Sequence, residues 1–288
     1  MKITIGNAHL RAVIETFGAE LKSLRHRRSG LEYMWQGDPK IWKDTAPFLF
    51  PVVARQLDDY YTLDGKNYTM PMHGFAKDRE FRVVSKSASS LTLELTEDEE
   101  TLGWYPFRFR LTTTFFFKGY HLMVTHMVEN LSDRDMPFSI GEHPGFRIPL
   151  LDGEHLDHYF LDFNLSEQAE RWYLDDEIIA GSEPGFRGRY LPITRSTFVR
   201  GALIFKNLKS YNVTLRSRNH SHIVIMNLRG WDYLGIWAKP AADYVCIEPW
   251  STLPDATFVG RDLSEKAGIR ALRPGEKEAL TYTTTFHD

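Results

Sequence analysis

The chain has a single cysteine, Cys246, in 288 residues. One thiol closes no intramolecular disulfide and builds no thiolate cluster around a structural metal, so packing has to supply the stability. Long apolar runs are missing too. Nothing reaches about 18 consecutive apolar residues, and the opening MKITIGNAHLRAVI puts polar side chains where a signal peptide needs an unbroken apolar stretch. These absences predict a soluble, cytoplasmic protein with no membrane partner. Charge of one sign is also lacking: 35 basic and 38 acidic residues are dispersed along the chain, for a net charge of -3. That balance offers no field to hold a polyanion and argues against nucleic acid as the main partner. A Gly-x-Ser-x-Gly elbow, a phosphate loop and a dinucleotide-binding glycine pattern are all absent, leaving serine-nucleophile and nucleotide readings without support.

What is present is 42% hydrophobic and 14% aromatic content, enough for a large core. Alternating, β-branched or aromatic segments recur from end to end: KITIGN, LRAVIE, FRVVSK, LTLELTE, FRFRLTTTFFF, HLMVTHMVEN, ALIFKN, NVTLRS, HIVIMNL, YLGIWAK, YVCIE and ALTYTTTF. Turn signals such as LDGKN, FKGYH, NLSDRD, LLDGE and LRPGE separate many of them. Helical candidates are few and short, around DPKIWKD and LSEKAG. The pattern predicts an all-β sandwich of antiparallel sheets, one domain over residues 1–288, with no low-complexity linker and no internal repeat. Residues 166–188 are the least regular and read as an excursion from the sheets.

Three ionisable residues sit in short segments punctuated by proline, glycine and aromatics: His73 in MPMHGFAKDREF, His143 in GEHPGFRIP and Glu248 in CIEPW. Such punctuation holds strand ends in extended or turn conformations, from which side chains project into a cleft. Each has a plainer reading as a turn histidine bonded to local backbone or a paired acid at a core edge. Trp231 and Trp250 lie near Glu248 and could stack on a sugar ring; Trp237, in YLGIWAK, alternates like a core residue. Arg55 closes the apolar run PFLFPVVAR and could donate to hydroxyls or orient a carboxylate, and Lys239 in WAKP is a weaker case of the same kind. The pairs His155/His158 and His220/His222 have metal-ligand spacing without an obvious third ligand.

The ordered set PVVAR, MPMHGFAKDREF, VENLSDRDMPFSIGEHPGF, LGIWAKP and YVCIEPWSTLPDA, with the closing LRPGEKEALTYTTTF, resembles the aldose 1-epimerase (galactose mutarotase-like) family, and is most similar to its LacX-type branch. The resemblance implies a galactose mutarotase-like β-supersandwich, a small-molecule sugar partner and cofactor-independent interconversion of the α and β anomers of a free hexose. It gives Glu248 the part of general base at the C1 hydroxyl, His143 that of proton donor to the ring oxygen, His73 a hydrogen bond near that oxygen and Arg55 a contact to the sugar. The family's substrate-reading aspartate has no counterpart in FKNLKSYN. A carboxylate and an imidazolium are a natural pair for opening a hemiacetal, and a neighbouring Glu142 or Glu248 is expected to keep His143 protonated near neutral pH. Three other readings stand beside this: a non-catalytic sugar-binding module, an epimerase for a phosphorylated hexose, and a metalloenzyme that uses the two histidines and the glutamate.

Overall fold

All the strand-like segments named above form strands in the computed structural model, which describes residues 1–240 and 242–287. A 15-stranded sheet dominates. Its path runs from Phe48–Leu49 through Gly141–Glu142, Tyr244–Trp250, Tyr233–Trp237, Leu203–Lys206 and Tyr159–Asp175 to Asn212–Ser217. It continues through Ile223–Asn227, Lys277–His287, His121–Asn130, Phe109–Lys118 and Ser90–Thr96 to Arg82–Lys86. A 3-stranded sheet of Lys2–Gly6, Leu10–Glu15 and Glu20–His26 lies apart from it in hydrogen bonding. Its Leu10, Ile14 and Leu24 nevertheless belong to the same buried cluster as Phe109, Leu122 and Phe286 of the large sheet. The period of two explains the burial: FRLTTTFFFK hides Phe109, Leu111, Thr113, Phe115 and Phe117 and turns the intervening side chains outward. The architecture is all-β, built of antiparallel sheets, with 53% of the chain in strands and 6% in helices. No helix is long and apolar enough to cross a membrane among the described residues.

Three local expectations need correction. DPKIWKD is a turn closed by an Asp38–Trp42 bridge, because Asp38 Oδ1 accepts the Lys40 backbone N–H at 2.9 Å and competes with helix formation. The α-helix is instead Glu99–Trp104, opened by a reciprocal cap in which Asp98 and Thr101 each accept the other's backbone N–H, at 2.7 and 2.8 Å. LSEKAG holds one 3₁₀ turn, Leu263–Glu265. Residues 166–188 are no excursion either. They belong to a long hairpin of Tyr159–Asp175 and Ile178–Pro192, whose pairing slips at several bulges and so hides the alternation from the sequence.

Two short pairings position the cleft. Gly141 lies opposite Trp250 and Gly145 opposite Cys246, so in the same antiparallel register residue 143 falls across from residue 248. On the far side of that strand Gly235 faces Glu248 and Tyr233 faces Trp250. Glycine is needed at these crossings for steric reasons. A Cβ on Gly141 would come within 2.8 Å of Trp250 Cδ1, and one on Gly235 within 2.8 Å of Trp250 Cζ2. On Gly145 it would come within 2.7 Å of Trp42 Cζ3. Three absent side chains thus seat two indoles.

Gly235→Ala should therefore displace Trp250 and cost about 1–3 kcal/mol, the usual penalty for overpacking. Gly103→Ala, in the helix with nothing within 4 Å of the new methyl, should be neutral or stabilising by up to about 1 kcal/mol. Urea unfolding of the two variants beside wild type checks this, and equal stabilities would contradict the seating argument.

Candidate active site

His73 reaches the cleft from a strained turn. Its φ is +66°, a left-handed conformation unusual outside glycine, and Gly74 follows at +71° because a Cβ there would lie 2.1 Å from the Phe50 carbonyl oxygen. Hydrogen bonds hold the strain: the His73 N–H donates to the Ala54 carbonyl at 2.9 Å, and the Ala54 N–H donates to His73 Nδ1 at 3.0 Å. Because Nδ1 accepts, the neutral ring carries its proton on Nε2, ready to donate. Burial, reinforced by His143 and then Lys77, holds its pKa well below the ordinary histidine range.

His143 Nε2 stands 3.2 Å from Glu248 Oε2. The imidazole is boxed by rings, with Trp42 at 5.1 Å, Trp237 at 5.4 Å and His73 at 5.6 Å between centroids. Glu248 is 1% exposed, and neither of its oxygens has a hydrogen-bond partner among the described residues. Burial, then the charge of Glu177, pushes the Glu248 carboxyl well above its usual range, with the Trp250 indole acting in the opposite direction. Burial also pushes His143 down to about 4. Burial thus works against the expected imidazolium, and only a backbone hydrogen bond of His143 acts the other way. Glu142 gives no help, since adjacent residues of a strand point to opposite faces. Its Oε1 lies 2.8 Å from His126 Nε2, and its surroundings include Tyr282.

These groups line a cavity of about 280 Å³, at the small end of ligand pockets (roughly 300–1,000 Å³). Trp42, Trp237 and Trp250 supply its aromatic walls, and Asp44, Lys77 and Glu177 contribute charge. Of the expected residues, His73, His143, Glu248 and Trp250 come together there. Three others do not line it. Trp231 packs into the core with its indole N–H donating to the Thr281 carbonyl at 3.1 Å. Lys239 is exposed, and its backbone N–H donates to the Tyr244 hydroxyl. Arg55 spends its guanidinium on Asp59, at 2.8 and 2.9 Å, and on Asp176 at 2.7 Å. Asp176 and Glu177 form the hairpin tip, both at positive φ (46° and 65°), so Arg55 anchors the turn that brings Glu177 to the cleft.

Trp231 and Trp237 also exchange places, while Trp250 lines the cavity as expected. Trp237 alternates like a core residue yet faces the cavity, because the strand carrying it borders the Glu248 strand there. Trp42 was hidden in a segment that reads as helix, and Glu177 in an acidic turn. The two histidine pairs meet around Glu154, whose carboxylate accepts Ser217 Oγ–H at 2.6 Å and lies 2.7 Å from His220 Nε2. Tyr159 donates to it as well, so the carboxylate is engaged by protein groups, while His220 Nδ1 is buried with no hydrogen-bond partner among the described residues. Among the described residues, the ligand-type atoms that do gather, within 4.8 Å of one another, belong to His143, Cys246 and Glu248 rather than to both histidines and the glutamate.

The fold that holds this indole-walled cleft is the galactose mutarotase-like supersandwich. Residues 1–262 match the aldose 1-epimerase family, and the chain belongs to it. The chromosomal LacX protein of Lactococcus lactis subsp. lactis is 29% identical over 99% of both chains. A galactose mutarotase related enzyme from Lactobacillus acidophilus superposes with a TM-score of 0.96 at 33% identity, covering 100% of this chain and 98% of its own. A galactose mutarotase-like protein from Lactobacillus casei gives 0.94 at 33% identity with 100% of both covered.

Near about pH 6, nitrogen-15 correlation spectra should show both cleft histidines neutral, with His73 protonated on Nε2 alone. An imidazolium pattern for His143 at that pH would mean that its box is wetter than described.

Proposed function

We propose that the protein is an aldose 1-epimerase that interconverts the α and β anomers of a free, unphosphorylated hexose. The carrying observation is His143 Nε2 held 3.2 Å from a Glu248 carboxyl whose oxygens have no hydrogen-bond partner among the described residues. Ring opening removes the C1 hydroxyl proton and delivers one to the ring oxygen. Glu248 takes the first and His143 gives the second; the C1–C2 bond rotates, and reclosure on the other face reverses both transfers. Only protons move.

The pair needs one proton in total. With the ring closed, Glu248 is ionised and His143 protonated; with it open, Glu248 is protonated and His143 neutral. These are two arrangements of the same charge count, and burial favours the second. Sugar hydroxyls have to compensate the first, which makes bound substrate part of the acid–base device. His73, locked as an Nε2–H donor, supports the ring oxygen without supplying charge.

Charge favours a neutral substrate. The cleft presents Asp44, Glu177 and Glu248 against Lys77, which itself pairs with Asp78. Arg55 is committed to Asp59 and Asp176, and Arg79 sits 2.8 Å from Glu100. A phosphate dianion would meet carboxylates rather than a fork of free guanidinium donors.

Polarimetry of freshly dissolved α-D-glucose and α-D-galactose should show acceleration that His143→Ala and Glu248→Gln each lose by about 10²–10⁴-fold. Glucose 6-phosphate should give kcat/KM at least about tenfold below glucose, an unfavourable difference of 1.4 kcal/mol or more. Binding of sugars without turnover of any would favour the non-catalytic module.

The pH profile of kcat/KM should be a bell. Its acid limb, where the pair takes a second proton, should fall near the His143 value of about 4. Its alkaline limb belongs to the last proton, held tightly because the Glu248 pKa is raised. The Glu177 anion is one cause of that elevation, so Glu177→Gln should move the alkaline limb to lower pH. An unchanged limb would detach Glu177 from the pair.

A further inference from the structure

Cys246 takes no part in the chemistry above, yet the fold places it against the acid–base pair. Residues 246 and 248 lie on the same face of Tyr244–Trp250 by the period of two, and the register that sets His143 across from Glu248 brings all three together. One ligand-type atom from each lies within 4.8 Å of the others, and all three residues are buried. Neither Glu248 oxygen has a hydrogen-bond partner among the described residues, so the cluster has unused polar capacity in a dry place. We propose that His143, Cys246 and Glu248 form an inhibitory site for a borderline-soft divalent cation of the Zn²⁺ kind, with its fourth position open to the cleft.

The donor set selects the ion. Imidazole nitrogen, thiolate sulfur and carboxylate oxygen suit Zn²⁺, Co²⁺ and Cd²⁺, whereas Mg²⁺ and Ca²⁺ want oxygen shells and gain little from a thiolate. Three protein ligands leave one tetrahedral position, and the cavity lies on the side where His143 and Glu248 form its lining. Charge balances as well: one thiolate and one carboxylate neutralise a dication, and His143 binds as the neutral ring that burial already favours. Cys246 and, from the uncharged resting pair, Glu248 must each release a proton to the solvent for the sulfur–metal and oxygen–metal bonds to form. Because binding releases protons, uptake should strengthen as pH rises. An ion so placed occupies both proton-handling groups and competes with sugar. The loss of turnover rests on the proposed function; the binding does not.

The test uses metal-free protein, with Co²⁺ as spectroscopic probe and Zn²⁺ as titrant. One equivalent of Co²⁺ should produce a thiolate-to-cobalt charge-transfer band, and calorimetry should give one Zn²⁺ per chain, weakened by saturating sugar. Cys246→Ser and, as a second variant, Cys246→Ala should abolish the band and weaken Zn²⁺ by a hundredfold or more, since even outer-shell partners are worth about 10–100-fold. Folding of each is confirmed by circular dichroism, and turnover without metal should stay within about threefold of wild type. Zn²⁺ should inhibit wild type and leave the variants active; Mg²⁺ should do neither.

Absence of the band in wild type, or Zn²⁺ affinity undiminished in both folded variants, overturns the site. A band with no sugar turnover in metal-free wild type sinks the epimerase reading and leaves the metal site standing. Normal turnover with no metal binding does the reverse.

Discussion

A carboxyl without a hydrogen-bond partner among the described residues, held 3.2 Å from an imidazole inside a ring of indoles, is the arrangement on which the rest of this molecule turns. Ionised and alone, such a group costs several kcal/mol even after relaxation. The protein meets that cost with rigidity. Glu248 sits in a fully buried strand with the Gly141 segment on one side and Tyr233–Trp237 on the other, so backbone hydrogen bonds fix it where solvation disfavours it. The resting pair is thereby pushed toward its uncharged arrangement, and a ligand rich in hydroxyls has something to gain by entering.

Several remote features follow from keeping that pair dry and aligned. The glycines at 141, 145 and 235 let Trp42 and Trp250 approach the backbone closely enough to close the box. The left-handed His73 persists because two backbone hydrogen bonds and the Phe50 carbonyl leave it no alternative, and those same bonds fix its tautomer. Behind the strand, Glu142 with His126 forms a second buried polar pair, which continues to Thr113 Oγ1 at 3.1 Å from His126 Nδ1. It shares a backbone with His143 and reaches the other face of the sheet, so it can hold the segment in place without adding charge to the cleft.

Much of this was legible in the chain and some was not, for identifiable reasons. Strands with one buried face write a period of two into the sequence, and those were read correctly. The long hairpin escaped because its register slips repeatedly and much of its surface is solvated on both sides. His73, His143 and Glu248 stood out because glycine and proline beside an ionisable residue mark backbone that cannot be helix interior. The aromatic walls were not legible at that level. Trp231 and Trp237 occupy similar local patterns, and only the register of neighbouring strands decides that one donates to Thr281 in the core while the other faces the cavity. The reach of Arg55 was invisible too, since Asp176 lies 121 residues away.

That long reach changes how recognition is divided in the proposed epimerase. An arginine pointed at a sugar would place a fixed cation beside the base and draw the Glu248 pKa down. Here the guanidinium is neutralised by Asp59 and Asp176, and what it delivers to the cleft is the carboxyl of Glu177. Burial and the adjacent Asp176 raise the Glu177 pKa, with Arg55 opposing them, and whatever charge Glu177 keeps raises Glu248 in turn. The cation at the end of PVVAR therefore acts on the base at one remove and with opposite sign. It stabilises a strained acidic turn, and the turn keeps the base avid for its proton. A base tuned upward in this way takes a hydroxyl proton more readily once ionised, but an anionic substituent in the same cleft would raise it further and hold it protonated, unable to act. In the proposed epimerase, selectivity for neutral sugars and basicity at C1 would then share one physical origin.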